Sequence, residues 1–566
     1  MKKNTKDENN RKTVLAIIVL TVFFLLLLKL IYVQIFLHSK INRVVDRMVN
    51  RKNIEIPKRG NILDSRANIL ATSVKRYTVF LDTRIIEDFN KVKTVLFKNG
   101  IKIKEKRISD FGNAAYVPIA FNVNMDIVNN IKNEKLKGIG FESKYTRQYP
   151  EGRLLSHILG ITDCDGNGLE GIEKMYNSYL SGNYITTKMY RDGLGHVIRD
   201  KFIDGLKLQG QNVELCIDRN IQFIAEQELR NAFKKYNAKK AICIVQDPTE
   251  GKILAMVSLP DFNSSTKIKN IGFLRNAAIS DVYEPGSTFK VVAIAAALET
   301  GKVKYSDKFY LENGKFRIAG HTIKDDHKVK ELVSLSRIME ISSNIGVIKI
   351  AQKLGKEDFY RYIRKFGFYS LTGIDLPGEA KGLLMEIKNW NSLTLPNISF
   401  GQGIGVTAVQ LINAFSCIAN DGVLKKPYVV QKIENLYDKT ESNIFKSKEI
   451  RRVVSVETAR QLKKILKNAV DFGTGKNAKI LGYTVGGKTG TAQKVDLITK
   501  TYSTKCYTAS FCGMIPAMNP KVVILVIIDE PKGGSYYASS VASPIFAAIA
   551  KRVTEYLGVE KDDIIK

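Results

Sequence analysis

The sequence predicts an α+β domain carried behind a single N-terminal membrane span, and three observations carry the prediction. Residues 13–28 are an unbroken apolar run, extended by residues 30–33 past a single Lys29. From about residue 211, two β-rich runs at 241–246 and 252–258 precede a long helical stretch. Three further strands and a closing helix follow at 483–487, 507–514, 522–528 and 544–556. Strands from both ends of a domain, separated by a helical insert, form one antiparallel sheet with helices packed on it. A chain of 566 residues has room for two or three such cores.

Residues 1–12 are polar, carry Lys2, Lys3, Lys6, Arg11 and Lys12, and read as a cytoplasmic tail. About 20 apolar residues span a bilayer, and Lys29 near one end can snorkel. The run at 13–33 is long and no small-x-small cleavage site follows it, so it reads as an uncleaved anchor. Arg43, Arg47, Arg51 and Lys52 make the far side basic too, so the positive-inside rule discriminates weakly. A helix is predicted over 38–51, with Pro57 as its stop. Residues 34–210 then form a mixed domain. It contains Lys58-Arg59-Gly60-Asn61-Ile62-Leu63-Asp64, a strand at 77–81 and short amphipathic patterns over 85–140 without recognisable chemistry. A second dense cluster runs Arg147-Gln148-Tyr149-Pro150-Glu151-Gly152, then His157, Gly160 and Gly168-Leu169-Glu170-Gly171. No serine or cysteine motif adjoins His157, which reads as a structural hydrogen-bonding residue.

The second domain, 211–566, opens with a strand at 213–217 and Asp218 as an N-cap. Ile221, Ile224, Ala225, Leu229, Ala232 and Phe233 then share one helix face. Asp247-Pro248-Thr249-Glu250-Gly251 turns a hairpin between the first two strands. Beyond Ser287 the pattern is helical to about residue 370. Gly401-Gln402-Gly403 leads to Thr407-Ala408-Val409-Gln410, a capping box opening a helix that stops at Gly422. Residues 455–470 form another amphipathic helix.

A net charge of +32 reads first as a solvated surface and, as the functional variant, as attraction to an anionic partner, either anionic lipid or a cell-wall polymer. The lysines are spread rather than clustered and no nucleic-acid motif is present, so nucleic acid is not expected. Five scattered histidines, with no His-Glu-x-x-His or Cys-x-x-Cys pattern, predict neither metal nor cofactor. Six cysteines are too sparse for a disulfide scaffold. Only Cys506 and Cys512 lie near each other, and whether they pair is open.

The chemistry centres on Tyr283-Glu284-Pro285-Gly286-Ser287-Thr288-Phe289-Lys290. Pro and Gly punctuate the chain, and the apolar run 291–298 behind them ends at Gly301. Ser287 therefore sits in the first turn of a buried helix, with Lys290 on the same face. A serine needs a base to become a nucleophile, and a lysine whose pKa is lowered by burial can serve. Ser-x-x-Lys alone is a weak pattern: Ser264-Ser265-Thr266-Lys267 repeats it in a polar stretch without the Pro-Gly or the apolar run. Two more motifs decide between them. Ser342-Ser343-Asn344 lies between helical patterns at 335–341 and 345–354, where a helix cap would be the bland reading. Lys488-Thr489-Gly490-Thr491 is entered through Val485-Gly486-Gly487, glycines that let a strand backbone approach closely. In the order Ser-x-x-Lys, Ser-x-Asn, Lys-Thr-Gly, the three match the motif set of penicillin-binding proteins and class A β-lactamases.

Taken with the anchor and the domain before it, the chain resembles a class B penicillin-binding protein, a monofunctional peptidoglycan D,D-transpeptidase of division or sporulation type. Arg59-Gly60 with Asp64, Arg147 with Tyr149-Pro150 and Gly152, and Gly168–Gly171 resemble the family's pedestal signatures. Tyr283–Lys290, Gly401–Gly403, residues 511–516 and Asp529-Glu530-Pro531-Lys532 resemble its catalytic-domain signatures. Ser65-Arg66-Ala67-Asn68 replaces the usual Arg-Asn-Gly turn, and Ala408 stands where Pro is common. The resemblance implies a penicillin-binding/serine β-lactamase-like transpeptidase domain on an elongated mixed pedestal of the dimerisation type. It places the catalytic domain outside the cytoplasm.

The roles that the resemblance implies are these. Ser287 is the nucleophile, Lys290 its base, Ser342 the proton relay, and Asn344 a donor-peptide ligand that positions Lys290. Lys488 supplies positive charge, Thr489 and Thr491 bind the donor carboxylate, and Gly490 belongs to the same substrate-binding strand. Stem peptides of peptidoglycan are the substrates and β-lactams covalent inhibitors; a membrane glycosyltransferase and other division or spore-wall proteins are the implied partners. A D,D-carboxypeptidase or β-lactamase shares the motifs but has no reason for a pedestal behind an anchor. A division scaffold with an idle site has no reason to keep the catalytic residues.

Overall fold

The computed structural model describes residues 4–40, 42, 51–55, 57–103, 112–182, 185–191, 197–199, 209–266, 268, 270–435, 442–496, 499 and 501–563. These fall into two compact units, one of residues 1–57 with 183–209, the other of residues 58–182 with 210–566.

In the first unit, helix α1 (Asn4–Tyr32) continues through a π turn at Val33–Leu37 to Lys40. Among the described residues its stretch Glu8–Lys40 is the one helix long and apolar enough to cross a bilayer. Of the helix expected over 38–51, residues 41 and 43–50 lie outside the described residues. Arg51 opens a strand (Arg51–Glu55) that pairs antiparallel with Ile185–Arg191, which in turn pairs with Val197–Arg199.

The second unit begins with a small α/β layer. Strand β1 (Ile69–Leu81) pairs antiparallel with β2 (Val117–Val123) on one side and β3 (Ile139–Gln148) on the other. The strand expected at 77–81 thus starts at Ile69, because β3 pairs with it from Leu81 back to Thr72 and Ile62–Leu63 pairs with Ala71 and Ile69. Helices α2 (Phe89–Lys98) and α3 (Met125–Asn133) bury Val92, Leu96, Val128 and Ile131 against Val79, Leu81 and Val117. Residues 104–111, within the stretch that carries no recognisable chemistry, lie outside the described residues.

The main sheet of the second domain has five antiparallel strands: β4 (Lys240–Gln246), β5 (Ile253–Leu259), β6 (Gly486–Val495), β7 (Tyr502–Ile515) and β8 (Val522–Asp529), in the order β5-β4-β8-β7-β6. Alternation sends Cys243, Val245, Phe511 and Val526 to one face, under α4 (Arg219–Lys235) and the C-terminal helix. Ile242, Ile244, Cys512 and Leu525 go to the other, under the helical insert. Asp218 caps α4 by accepting from the Asn220 and Ile221 N–H groups. The insert holds α5 (Lys290–Glu299), α6 (Leu335–Glu340), α7 (Asn344–Leu354), α8 (Ala408–Ala419) and α9 (Val456–Asp471). The Thr407/Gln410 capping box is present at α8, and Ser455 caps α9.

Three elements differ from expectation. The insert is not helical throughout: Lys315–Ile318 and His321–Lys324 form a hairpin whose turn, Ala319-Gly320, takes positive φ at both residues. Strand β6 runs on to Val495 instead of stopping at Gly487, because β7 pairs with it residue for residue from Met514 back to Tyr507. Helix α10 (Ala538–Tyr556) starts before Pro544, which lies inside it. All six cysteines are free. Cys506 and Cys512 lie on one strand, β7, so they stand roughly 20 Å apart and cannot pair.

The α/β layer and the catalytic domain share one core. Ile62–Leu63 pairs parallel with Asn212–Leu215, which pairs antiparallel with Val430–Glu434. Ile62, Leu70, Tyr149, Leu155 and Ile158 belong to the same buried cluster as Ile244, Phe289 and Leu525. Asp375, buried, accepts from the Val429 and Val430 N–H groups at 2.7 and 2.9 Å and from the Tyr176 hydroxyl at 3.0 Å. Burial holds its carboxyl above the usual carboxylate range.

Candidate active site

Pro285 ends the approach to a single 3-10 turn, Gly286–Phe289, which runs directly into α5. Phe289 is fully buried and packs edge-on against Phe368 and Phe359, at centroid distances of 5.0 and 6.5 Å. Thr288 ties its hydroxyl back to the Pro285 carbonyl at 2.8 Å. These contacts hold Ser287 half-buried at the surface of the turn, with Lys290 one turn on and fully buried. Lys290 Nζ donates to the Ser342 carbonyl at 2.5 Å and to Ser342 Oγ at 3.3 Å. Burial lowers its pKa to about 7, against the opposing pull of Asp325 and Asp326. A lysine in that range exchanges protons freely near neutrality, as a general base must.

Ser342 joins α6 to α7 with φ of +56°, a left-handed conformation uncommon for a residue other than glycine. The conformation turns its carbonyl and hydroxyl toward Lys290. Ser343 caps α7, its Oγ accepting from the Gly346 N–H at 2.8 Å. The cap reading of this motif is therefore realised on Ser343, while its neighbour Ser342 is the serine that meets Lys290. Asp325, not singled out from the sequence, holds the turn in place. Its carboxylate accepts from the Ser343 hydroxyl, the Asn344 N–H at 2.7 Å and the Ile345 N–H at 3.1 Å. A carboxylate at a helix N-terminus satisfies otherwise orphaned donors and favours the helix dipole.

Strand β6 brings in the third motif. Lys488 is fully buried, and its Nζ donates to the Thr489 carbonyl and Oγ1, both at 3.1 Å, and to Thr474 Oγ1 at 3.5 Å. Burial, then the nearby charge of Lys290, pushes its pKa well down. Thr474 and Thr489 hydroxyls meet at 2.9 Å, and the Thr474 N–H reaches the Glu340 carbonyl at the end of α6. Thr491 Oγ1 accepts from the Ala538 N–H at 3.0 Å. Gly490 is required by proximity. A Cβ there would lie 2.8 Å from the Pro285 carbonyl and 2.6 Å from Ser510 Oγ. Beneath the Gly286–Phe289 turn, the Gly286 N–H donates to the Gly401 carbonyl at 3.1 Å, and Gly401 at φ +83° has no room for a side chain. Glu284 accepts from the Gly403 N–H at 2.9 Å and the Tyr502 hydroxyl at 3.2 Å.

The three motifs are thus gathered on one turn, one helix junction and one edge strand. Ser287, Lys290, Ser342, Asn344 and Lys488 to Thr491 are all placed on these elements. Asp325, Thr474 and Glu284 join them, and only Glu284 lay inside a stretch that the sequence had marked. Asp325 belongs to an Asp-Asp pair in a segment read as helical, and Thr474 stands between two glycines; neither carries a long-range signal. The rival serine motif lies elsewhere. The Ser264 N–H donates to the Gly152 carbonyl and Ser265 Oγ to the Tyr149 carbonyl, while Lys267 lies outside the described residues. His157 hydrogen-bonds the Phe273 carbonyl at 2.8 Å and packs on Phe262, a structural position. Among the described residues no cluster of His, Cys, Asp or Glu could hold a metal ion.

Residues 241–551 match the family described as the penicillin binding protein transpeptidase domain, and residues 54–215 match the penicillin-binding protein dimerisation domain. The chain is 34% identical to Stage V sporulation protein D of Bacillus subtilis, over 97% of this chain and 86% of that protein. It is 31% identical to peptidoglycan D,D-transpeptidase FtsI of Escherichia coli K12, over 89% of this chain and 84% of that one. Its fold is similar to the crystal structure of penicillin binding protein 3 from Mycobacterium tuberculosis complexed with aztreonam, with a TM-score of 0.70, 26% identity and coverage of 90% and 98%. A peptidoglycan synthetase from Bifidobacterium adolescentis gives a TM-score of 0.72 at 27% identity, with coverage of 91% and 98%. With the transpeptidase match spanning more than half of the sequence and the relatives covering nearly all of it, the chain belongs to the penicillin-binding protein transpeptidase family.

Proposed function

We propose that this chain is a serine D,D-transpeptidase that cross-links peptidoglycan stem peptides during division or sporulation. The observation that carries the reading is Lys290, desolvated to a pKa of about 7 one turn from Ser287 and hydrogen-bonded to Ser342. Ser287 Oγ attacks the carbonyl between the two D-alanines of a donor stem as its proton passes to neutral Lys290. The backbone N–H groups of Ser287 and Thr491 stabilise the oxyanion, at about 2.7–4 kcal/mol per donor. The proton returns through Ser342 Oγ to the leaving nitrogen, the C–N bond breaks, D-alanine departs and an ester remains on Ser287. An amine of a neighbouring stem then attacks the ester, forms the cross-link and restores the Ser287 hydroxyl. Asn344 orients the donor, and Thr489 and Thr491 receive its terminal carboxylate. That carboxylate beside Lys488 opposes the effect of burial and favours the ammonium form, so positive charge develops there as substrate binds.

The domain limits that fit this reading are a tail at 1–12, an anchor at 13–33, a pedestal at 34–210 and the transpeptidase domain at 211–566. The apolar helix supports a single-pass membrane protein, and in this reading the catalytic domain lies outside the cytoplasm, on the side of its peptidoglycan substrate. Its partners are nascent glycan strands, β-lactams as covalent inhibitors, a membrane glycosyltransferase, and other division or spore-wall proteins.

Labelling by a fluorescent penicillin, wild type against Ser287→Ala, tests the reading. Labelling abolished in the variant is the expected result. An unlabelled wild type at high probe concentration would favour a scaffold, and equal labelling of both would put the wrong serine at the centre.

A further inference from the structure

Two hydroxyls meet beside Lys488, and only that of Thr489 belongs to the Lys-Thr-Gly motif. The other is that of Thr474. Helix α9 ends at Asp471, and the chain turns through Gly473-Thr474-Gly475 into a 3-10 turn at Lys476–Ala478. This segment is fastened on three sides. The Thr474 N–H donates to the Glu340 carbonyl at 3.0 Å, at the end of α6 and two residues before Ser342. The Gly475 N–H donates to the Ala469 carbonyl at 3.0 Å, and Asn477 Nδ2 to the Ser539 carbonyl of α10 at 2.8 Å. Thr474 therefore presents its half-buried side chain to β6 from a fixed backbone.

The protons around it do not all find acceptors. Thr474 Oγ1 and Thr489 Oγ1 lie 2.9 Å apart. Lys488 Nζ donates to Thr489 Oγ1 at 3.1 Å and, in its longest contact, to Thr474 Oγ1 at 3.5 Å. Each hydroxyl carries one proton and accepts up to two, while Lys488 in the ammonium form that a bound carboxylate favours only donates. One hydroxyl proton is spent between the two oxygens, and the other has no acceptor within the trio. With Thr474 and Lys488 both donating to Thr489 Oγ1, the Thr489 O–H is the one left over. Thr491 is prepared in the same way by the backbone: its Oγ1 accepts from the Ala538 N–H at 3.0 Å, and its own proton stays unspent. Residues two apart on a strand share a face, so the two free O–H groups stand side by side on β6.

We propose that Thr474 is a positioning residue whose hydroxyl donates to Thr489 Oγ1 and so turns the Thr489 O–H toward the terminal carboxylate of the donor stem. The proposal rests on the transpeptidase reading and adds to it the residue that sets recognition of that carboxylate. Among the described residues, the hydrogen bonds of Thr474 reach neither Ser287 nor Lys290, so attack on a carbonyl without a neighbouring carboxylate does not call on it.

Detergent-solubilised full-length protein is given an N-acyl-D-alanyl thioglycolate, whose carboxylate stands in for that of the terminal D-alanine, and the matching thioglycolamide, which has none. Loss of thioester absorbance gives kcat/KM for each, and the ligand-free Tm checks folding. The variants are Thr474→Val, which keeps the shape without the hydroxyl, and Thr474→Ser, which keeps the hydroxyl. In Thr474→Val the thioglycolate value is expected to fall about tenfold or more, the weight of one hydrogen bond to a charged group, while the thioglycolamide value changes by less than about threefold. Thr474→Ser is expected to recover the thioglycolate value to within about threefold of wild type. Equal losses on the two substrates would make Thr474 a structural tie and overturn the proposal. An unaltered thioglycolate value in Thr474→Val, or a loss that Thr474→Ser does not restore, would overturn it too. A wild type that consumes neither thioester would instead remove the transpeptidase reading, and this inference with it.

Discussion

Lys290 holds its amine where the charged form loses its hydration and gains only distant carboxylates in return. Because its pKa falls to about 7, the neutral, proton-accepting form grows from roughly a tenth of the population at pH 6 to roughly nine-tenths at pH 8. The second-order rate of acylation by penicillin is expected to rise about tenfold over that interval and level above it. Stopped-flow or gel-based labelling across pH measures this, and a flat profile would remove Lys290 from the role of base. Asp325 acts one step further out. Asp325→Ala strips acceptors from the Ser343 hydroxyl and from two N–H groups at the start of α7, so Ser342 loses its support. Donors left without their acceptor cost about 1–3 kcal/mol, which as lost transition-state stabilisation is roughly 5–150-fold in rate, so the acylation rate should fall by that order with far-UV circular dichroism retained. The motif serines and lysines were legible in the sequence because each sits in a short pattern with its own spacing. Asp325 was not, since its partners come 18 to 20 residues later and an Asp-Asp pair just past a hairpin has no period to betray it.

At the scale of elements, the site exists because one turn and one edge strand approach closer than side chains allow. Gly490 makes that approach possible, and Gly490→Ala would drive a methyl into the Pro285 carbonyl and Ser510. Overpacking of this kind costs about 1–3 kcal/mol. The variant should lose several degrees in Tm and most of its penicillin labelling, whereas Ser510→Ala in the same background should recover stability before activity. If Gly490→Ala acylated at the wild-type rate, the contact between β6 and the nucleophile turn would be dispensable. Helices with clear caps, α4, α8 and α9, could be read from Asp218, Thr407/Gln410 and Ser455. The hairpin at Lys315–Lys324 could not. Its four-residue strands are too short for alternation to stand out, and only the Ala319-Gly320 turn announces them. The full length of β6 was hidden for another reason: Lys488 to Lys494 is mostly polar and follows two glycines, and pairing with β7, not propensity, makes it a strand.

Across the whole second unit, the α/β layer and the catalytic domain behave as one folded body. They share strand pairs through Asn212–Leu215, a continuous apolar core and the Asp375 bridge to Tyr176. Differential scanning calorimetry of the chain without residues 1–57 should therefore show one transition for this body, with calorimetric and van't Hoff enthalpies in agreement. Two resolved transitions would mean that the shared core couples weakly. Asp375→Ala leaves the Val429 and Val430 N–H groups without their acceptor, and the same transition should move down by several degrees. The sequence placed a boundary near residue 210 because composition and motif content change there. What no linear pattern revealed is that Asn212–Leu215, just past that boundary, is stitched on both sides.

That stitching limits how the protein can be cut. A fragment starting at residue 211 would keep Asn212–Leu215 paired to Val430–Glu434 but bare along the side where Ile62–Leu63 now sits. Such an uncovered strand margin, next to the apolar surface vacated by Leu70 and Ile158, is a template for adhesion between copies. The catalytic half alone would come out of expression as oligomers or inclusion bodies, and a fragment beginning at Lys58 would remain dispersed.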